Sequence, residues 1–172
     1  MIINKNFNLS IKYIFKIMTK INKNKKELIF TWEEFREYCE IVTTMIVNSN
    51  KSYSQIIAIV RGGFYLGDYI SRKLELPLSV IVTQSYSKDN QQQKFLAGKL
   101  SYINPPKDRV LLVDDLLDTG ITMTTIKKKL ENKWRVEVNT AVIWQKSHSQ
   151  YRADYYHSIT PKDYWIKQPF EN

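Results

Sequence analysis

A single cysteine, Cys39, and two histidines, His148 and His157, are all the thiol and imidazole that the 172 residues carry. One cysteine cannot form an intramolecular disulfide, and no Cys/His cluster surrounds it, so neither a disulfide-stapled scaffold nor a structural zinc site is expected and a reducing compartment fits. Neither histidine has metal-like spacing or stands beside a candidate nucleophile, and both read as ordinary polar residues. Long apolar runs are also missing. The longest, such as Ile56–Val60, fall far short of the roughly 18–20 residues of a membrane-crossing helix, so integral insertion is not expected. No Walker A loop occurs anywhere.

Acidic residues are absent from positions 1–26, which hold seven lysines, whereas positions 27–172 carry 19 basic and 17 acidic residues. The net charge of +9 therefore belongs mostly to a tail, and a nucleic-acid surface is not expected. Ile11, Ile14, Phe15 and Met18 fall at helical spacing with Lys12, Lys16 and Lys20 between them. The tail reads as a flexible basic extension, with Met18 as an alternative initiator, or as an amphipathic helix making weak contact with an anionic membrane surface. Lys12 and Lys16 interrupt the apolar run that a secretory signal needs, and no small-residue cleavage site follows. The whole chain is 43% hydrophobic and 25% charged, an ordinary globular mix, and the remainder, 27–172, reads as one globular domain.

From Leu28 the pattern becomes structured. Thr31-Trp32-Glu33-Glu34 is a capping box that starts a helix, continued to about Val47 by Phe35, Tyr38, Val42, Met45 and Ile46. Ile56–Val60, Leu78–Val82 and Val110–Val113 are short, Val/Ile-rich and without polar alternation, the pattern of strands buried on both faces of a parallel sheet. A fourth run spans Val136–Trp144. Helices are expected at Phe64–Leu74, with Phe64, Gly67, Ile70, Ser71 and Leu74 on one stripe, and at Ile121–Leu130, where Lys127, Lys128 and Lys129 suit a C-terminus. Strand and helix alternate, which gives βαβ units and an α/β fold.

Ligands of such sheets bind beyond the carboxyl ends of the strands. Three segments stand there: Arg61-Gly62-Gly63, Thr83-Gln84-Ser85-Tyr86, and Asp114-Asp115-Leu116-Leu117-Asp118-Thr119-Gly120-Ile121-Thr122. Thr119, Gly120 and Thr122 lie where a loop closes into a helix, so backbone N–H and side-chain O–H groups can surround a phosphate. Three carboxylates so close would repel a bare anion. A ligand with both a phosphate and a vicinal diol, accompanied by Mg²⁺, removes the conflict, because carboxylates accept hydrogen bonds from hydroxyls and tolerate a metal. That ligand is a sugar phosphate.

The run Val110–Thr122 resembles the phosphoribosyl-pyrophosphate (PRPP) motif of the type I phosphoribosyltransferases. Phe30-Thr31-Trp32, Arg61-Gly62-Gly63, Ser85-Tyr86 with Asp89-Asn90-Gln91, Lys146, and Trp165-Ile166-Lys167-Gln168-Pro169-Phe170-Glu171 resemble the bacterial xanthine-guanine branch. The resemblance covers Leu28 to the C-terminus. It implies a parallel β-sheet core flanked by helices, a mobile hood and a small C-terminal base-recognition region. Asp114 and Asp115 would hold the ribose hydroxyls and Mg²⁺, and Asp118, Thr119, Gly120, Ile121 and Thr122 would enclose the 5′-phosphate. Asp118 would also accept a proton at purine N7. Arg61, Gly62 and Gly63 match the pyrophosphate loop, whose peptide is often non-proline cis in this family. Ser85, Tyr86 and Lys94 belong to the hood, Lys146 would donate to the purine 6-oxo group, Trp165 would stack on the base, and carbonyls around Trp165 and Ile166 would read its 2-position.

The implied activity is Mg²⁺-dependent transfer of phosphoribosyl from PRPP to xanthine, guanine or hypoxanthine in purine salvage, by a cytoplasmic homodimer or tetramer, with any membrane contact confined to the tail. Two features depart from the pattern. Gln92 replaces a basic residue of the hood, and Ser147–Tyr156 lacks the expected small-residue turn. A PRPP- or nucleotide-sensing or RNA-binding module with little catalysis is the alternative that Gln92 and the basic tail support.

Overall fold

The computed structural model describes residues 21, 22, 26–86 and 94–171, and the side chains of 26–83 and 98–171. The tail positions Ile11, Ile14, Phe15 and Met18 and the hood residues 89–92 lie outside the described residues. Among the described residues, no helix is long and apolar enough to cross a membrane. The chain divides into two units, a smaller one of residues 1–37 and 162–172 and a larger one of residues 38–161.

In the smaller unit, β1 (Ile21–Asn22), β2 (Glu27–Ile29) and β10 (Trp165–Lys167) form a sheet in the order β1-β2-β10. β10 lies parallel to β2 with Ile166 opposite Leu28. Strand alternation buries both of these side chains and turns Trp165 outward. Helix α1 (Trp32–Asn48) opens with the capping box. The Thr31 N–H donates to Glu34 Oε2 at 3.0 Å, and the Glu34 N–H donates to Thr31 Oγ1 at 3.3 Å. Thr31→Ala is expected to lower stability by about 1 kcal/mol and Thr31→Ser to restore it, read by chemical denaturation.

The larger unit is built on a seven-stranded sheet. Its path is β5 (Lys94–Ser101), β4 (Leu78–Tyr86), β3 (Gln55–Val60), β6 (Arg109–Val113), β8 (Glu137–Lys146) and β7 (Leu116–Leu117), with β9 (Tyr155–Thr160) also paired to β8. Only the β4–β5 pairing is antiparallel. Helix α2 (Phe64–Leu74) makes the crossover from β3 to β4, and α3 (Ile121–Trp134) leads into β8. This is the mostly parallel α/β fold that the sequence implies.

The two central strands, β3 and β6, are buried almost throughout. Ile57, Ile59, Val110 and Leu112 pack in one cluster with Met123, Ile126 and Leu130 of α3. On the other face α2 approaches so closely that a Cβ on Gly67 would sit 2.8 Å from Ala58 Cβ.

Three expectations need correction. The β4 run is not buried on both faces: Val82 is 57% exposed, because β4 carries an alternating pattern beside the antiparallel β5. The buried stripe of α2 is Leu66, Gly67 and Ile70, and Phe64 faces outward at the first turn. Helix α3 runs on to Trp134, so Lys127–Lys129 lie inside it. Lys127 donates to the Val138 carbonyl and pairs with Glu131 at 2.7 Å, an i,i+4 pair along the helix.

Candidate active site

The site begins where two parallel strands separate. β6 pairs with β3 only as far as Ala58 opposite Val113. Beyond that point the chain stays with β8 instead. The Asp114 N–H donates to the Ala141 carbonyl at 3.0 Å, and the Asp115 carbonyl accepts from the N–H groups of Ile143 and Trp144 at 3.0 and 3.1 Å. β7 then pairs Leu116 with Trp144 and Leu117 with Gln145. The end of β3 turns away through Arg61–Gly63 into α2, so residues 61–63 and 114–122 face each other across a crevice at the carboxyl edge of the sheet, where α/β sheets bind ligands.

Contact across this crevice is close. A Cβ on Gly62 would sit 2.5 Å from Asp115 Cγ, and one on Gly63 would sit 2.5 Å from the Val113 carbonyl oxygen and 2.7 Å from Asp114 Cα. At Gly63 the neighbours are main-chain atoms and only a residue without a side chain passes, whereas at Gly62 the neighbour is the end of the Asp115 side chain. The Val60–Arg61 peptide is cis, and the Arg61 side chain is exposed.

Asp114 lies against this glycine pair, and its Oδ1 accepts the Asp115 N–H at 3.0 Å. Burial, followed by the negative charge of Asp115, pushes its pKa well above the usual carboxylate range, while N–H groups of Asp115 and Gly63 pull the other way. Among the described residues no three His, Cys, Asp or Glu side chains converge to enclose a metal. Two adjacent carboxylates fit a different kind of metal binding. Mg²⁺ needs only one or two protein carboxylates when substrate oxygens and water fill the rest of its octahedron, and a cation there offsets the repulsion that Asp114 feels.

Three residues on, Asp118, Thr119, Gly120 and Thr122 line a pocket of about 90 Å³ together with Asp114 and Leu116. Gly120 stands at φ 87° and caps α3, which starts at Ile121. Backbone N–H groups of a first helical turn have no partners within the helix, and they meet the positive end of its dipole. The Ile121 N–H has Thr119 Oγ1 at 3.4 Å, and the Ile121 side chain is exposed, so its contribution here is its backbone. The pocket has the size and the donor set for one phosphate group.

A second segment supports this loop from behind. The Gln150 N–H donates to the Thr119 carbonyl at 3.1 Å, and a Cβ on Gly120 would sit 2.6 Å from Tyr151 Cβ and 3.0 Å from Ser149 Oγ. The turn after β8 therefore backs the Thr119–Gly120 loop. Sequence reading missed it, although the rule that singled out the ends of β3 and β6 applies equally to residues 147–151, which follow the end of β8.

His148 lies in that turn, and here the sequence reading is corrected. Its Nε2 is 3.3 Å from Asp118 Oδ1, beside a candidate proton acceptor. His157 is a packing residue, its ring stacked on Tyr38 with centroids 3.8 Å apart.

Lys146 ends β8, one position past the Leu117–Gln145 pair, so its strand delivers it level with Asp118. It is 5% exposed, and its Nζ donates to the Pro161 carbonyl at 3.2 Å. In the smaller unit, Trp165 is 63% exposed and Ile166 is buried. Tyr86 pairs with Lys94, and Ser85 with Phe95, at the far end of the β4–β5 ribbon, which places the three predicted hood residues on its backbone; their side chains are outside the described set.

The sequence profile of the phosphoribosyl transferase domain matches residues 32–171. A purine phosphoribosyltransferase from Pyrococcus horikoshii Ot3 superposes with a TM-score of 0.74 at 25% identity, covering 86% of this chain and 95% of that one. A xanthine-guanine-hypoxanthine phosphoribosyltransferase from Helicobacter pylori gives a TM-score of 0.74 at 21% identity, covering 83% and 92%. A hypothetical protein from Neisseria gonorrhoeae with bound ppGpp gives 0.68 at 24% identity, covering 83% and 88%. The last two similarities are similarities of fold.

Proposed function

The chain belongs to the phosphoribosyl transferase domain family, and on that footing we propose that it transfers the phosphoribosyl group of PRPP to a 6-oxopurine, giving the nucleoside monophosphate and pyrophosphate. The observation that carries this reading is the run Asp114–Thr122. It sets two adjacent carboxylates, suited to a ribose diol, within a few residues of a phosphate-sized pocket at a helix start.

In the reaction a purine nitrogen forms a bond to the anomeric carbon as pyrophosphate leaves, with inversion. The transition state carries positive charge on the ribose, so the protein's task is positioning and charge stabilisation and no covalent nucleophile is required. Asp114 and Asp115 accept the ribose hydroxyls. Backbone N–H groups of residues 120–122 and the hydroxyls of Thr119 and Thr122 hold the 5′-phosphate. Arg61, with the bare backbone of Gly62 and Gly63, faces the leaving pyrophosphate. Asp118 accepts the proton released by the base. When bound, Mg²⁺ would neutralise pyrophosphate charge and would be held by Asp114 and Asp115.

The base-reading roles fall to Lys146 in the larger unit, as donor to the 6-oxo oxygen, and to Trp165 and Ile166 in the smaller unit, as stacking face and 2-position reader. A lysine that is nearly enclosed at the carboxyl end of β8, with its Nζ donating to the Pro161 carbonyl, suits recognition of a carbonyl oxygen on the base. The deciding experiment offers guanine, xanthine, hypoxanthine and adenine separately with PRPP and Mg²⁺. Nucleotide from the 6-oxopurines and little from adenine supports the reading. PRPP binding without product from any purine overturns it in favour of a sensor.

A further inference from the structure

We infer that His148 is a positioning residue for Asp118, tethering one carboxylate oxygen so that the other is turned toward the base. The inference rests on the reading of Asp118 as proton acceptor. His148 Nε2 lies 3.3 Å from Asp118 Oδ1, with the imidazole 29% and the carboxylate 61% exposed. The other ring nitrogen, Nδ1, is enclosed and meets no hydrogen-bond partner among the described residues. The ring therefore meets the carboxylate through Nε2, while Nδ1 is enclosed.

The two partners are also joined through their backbones. The Ser147 N–H donates to the Thr160 carbonyl at 2.9 Å, the Ser149 N–H to the Lys146 carbonyl at 3.1 Å, and the Gln150 N–H to the Thr119 carbonyl at 3.1 Å. The turn carrying His148 is thus fixed on β8 and β9 on one side and on the Asp118–Gly120 loop on the other. A carboxylate more than half exposed rotates freely unless one oxygen is held. Holding Oδ1 leaves Oδ2 as the oxygen that meets the incoming N–H, an orientational advantage that acts on turnover and not on PRPP binding. A partly exposed His–Asp pair adds little to stability, so its loss is expected to spare the fold.

The test compares His148→Phe, which keeps the ring volume but has no N–H, with His148→Gln, whose amide can still donate, each alone and in an Asp118→Asn background. Expected are a fall in kcat of about tenfold for the Phe variant with KM for PRPP and melting temperature unchanged, and recovery of most of kcat in the Gln variant. In the Asp118→Asn background, His148→Phe is expected to add no further loss, as two residues acting through one function should behave. Unchanged kcat in the Phe variant, losses that multiply in the double variant, or a raised KM for PRPP, which would mark simple support of the phosphate loop, overturns the inference. If Asp118→Asn alone retains wild-type kcat, the reading of Asp118 fails and His148 falls with it, a result distinct from the other three. Should the Phe variant melt early, His148→Ala supplies the same comparison.

Discussion

Asp118→Asn is expected to lower kcat by about a hundredfold or more while leaving KM for PRPP within about twofold of wild type. The asparagine keeps the volume of the side chain and an Oδ1 able to accept from His148 Nε2, so the loop geometry survives. The donors proposed for the 5′-phosphate come from the backbone and hydroxyls of residues 119–122, which the substitution does not touch. What disappears is an oxygen able to take up a proton. The loss therefore belongs to the step in which the base loses its proton and should separate cleanly from binding of the sugar phosphate. Steady-state kinetics with PRPP varied at saturating guanine measures both quantities. A rise in KM with kcat intact would instead make Asp118 a wall of the phosphate pocket, and the search for the proton acceptor would move to another residue.

The parts of this site that could be read from the sequence are those contiguous along the chain. Asp114 to Thr122 is one run, and its strand, carboxylates, glycine turn and helix start are all encoded within 13 residues of Val110. The capping box is legible for the same reason, since Thr31 and Glu34 are three residues apart and satisfy each other. The bounds of α2 follow from the pattern at Phe64–Leu74, but its buried face does not: Leu66 replaces Phe64 because the closest approach to the sheet is set by Gly67 against Ala58, a tertiary contact with no local signature. His148 was opaque in a further way. It is 30 residues from Asp118, and the two meet only because β7 and β8 pair in parallel and the turn after β8 folds back onto Thr119. β9, Tyr-Tyr-His-Ser-Ile-Thr, escaped notice because its burial is mixed and shows no clean alternation. The short β2–β10 pair gives a pattern too brief to read as strands.

Gly62 and Gly63 are adjacent and equally crowded, yet alanine at each is expected to have opposite consequences. Neither has the positive φ that favours glycine, so the demand at both is for space. At Gly63 a Cβ would meet the Val113 carbonyl oxygen at 2.5 Å and both Asp114 Cα and the Ile59 carbonyl oxygen at 2.7 Å. All three are main-chain atoms of the two central, largely buried strands or their direct extension, and none can move without separating β3 from β6. Gly63→Ala should therefore cost about 2–4 kcal/mol of stability, seen as a clear fall in the denaturation midpoint. At Gly62 the obstruction is the Asp115 carboxylate, the end of a rotatable side chain. Gly62→Ala should cost less stability than Gly63→Ala, because the end of a side chain yields more readily than a main chain, even though the swing also disturbs the contact between the Asp114 and Asp115 side chains. With Asp115 proposed to hold the ribose diol and Mg²⁺, that same swing should raise KM for PRPP about tenfold or more. A Gly62→Ala enzyme that binds PRPP normally would mean that Asp115 has no part in holding the sugar, and a stable Gly63→Ala protein would mean that the β3–β6 crevice is wider in solution than these contacts require.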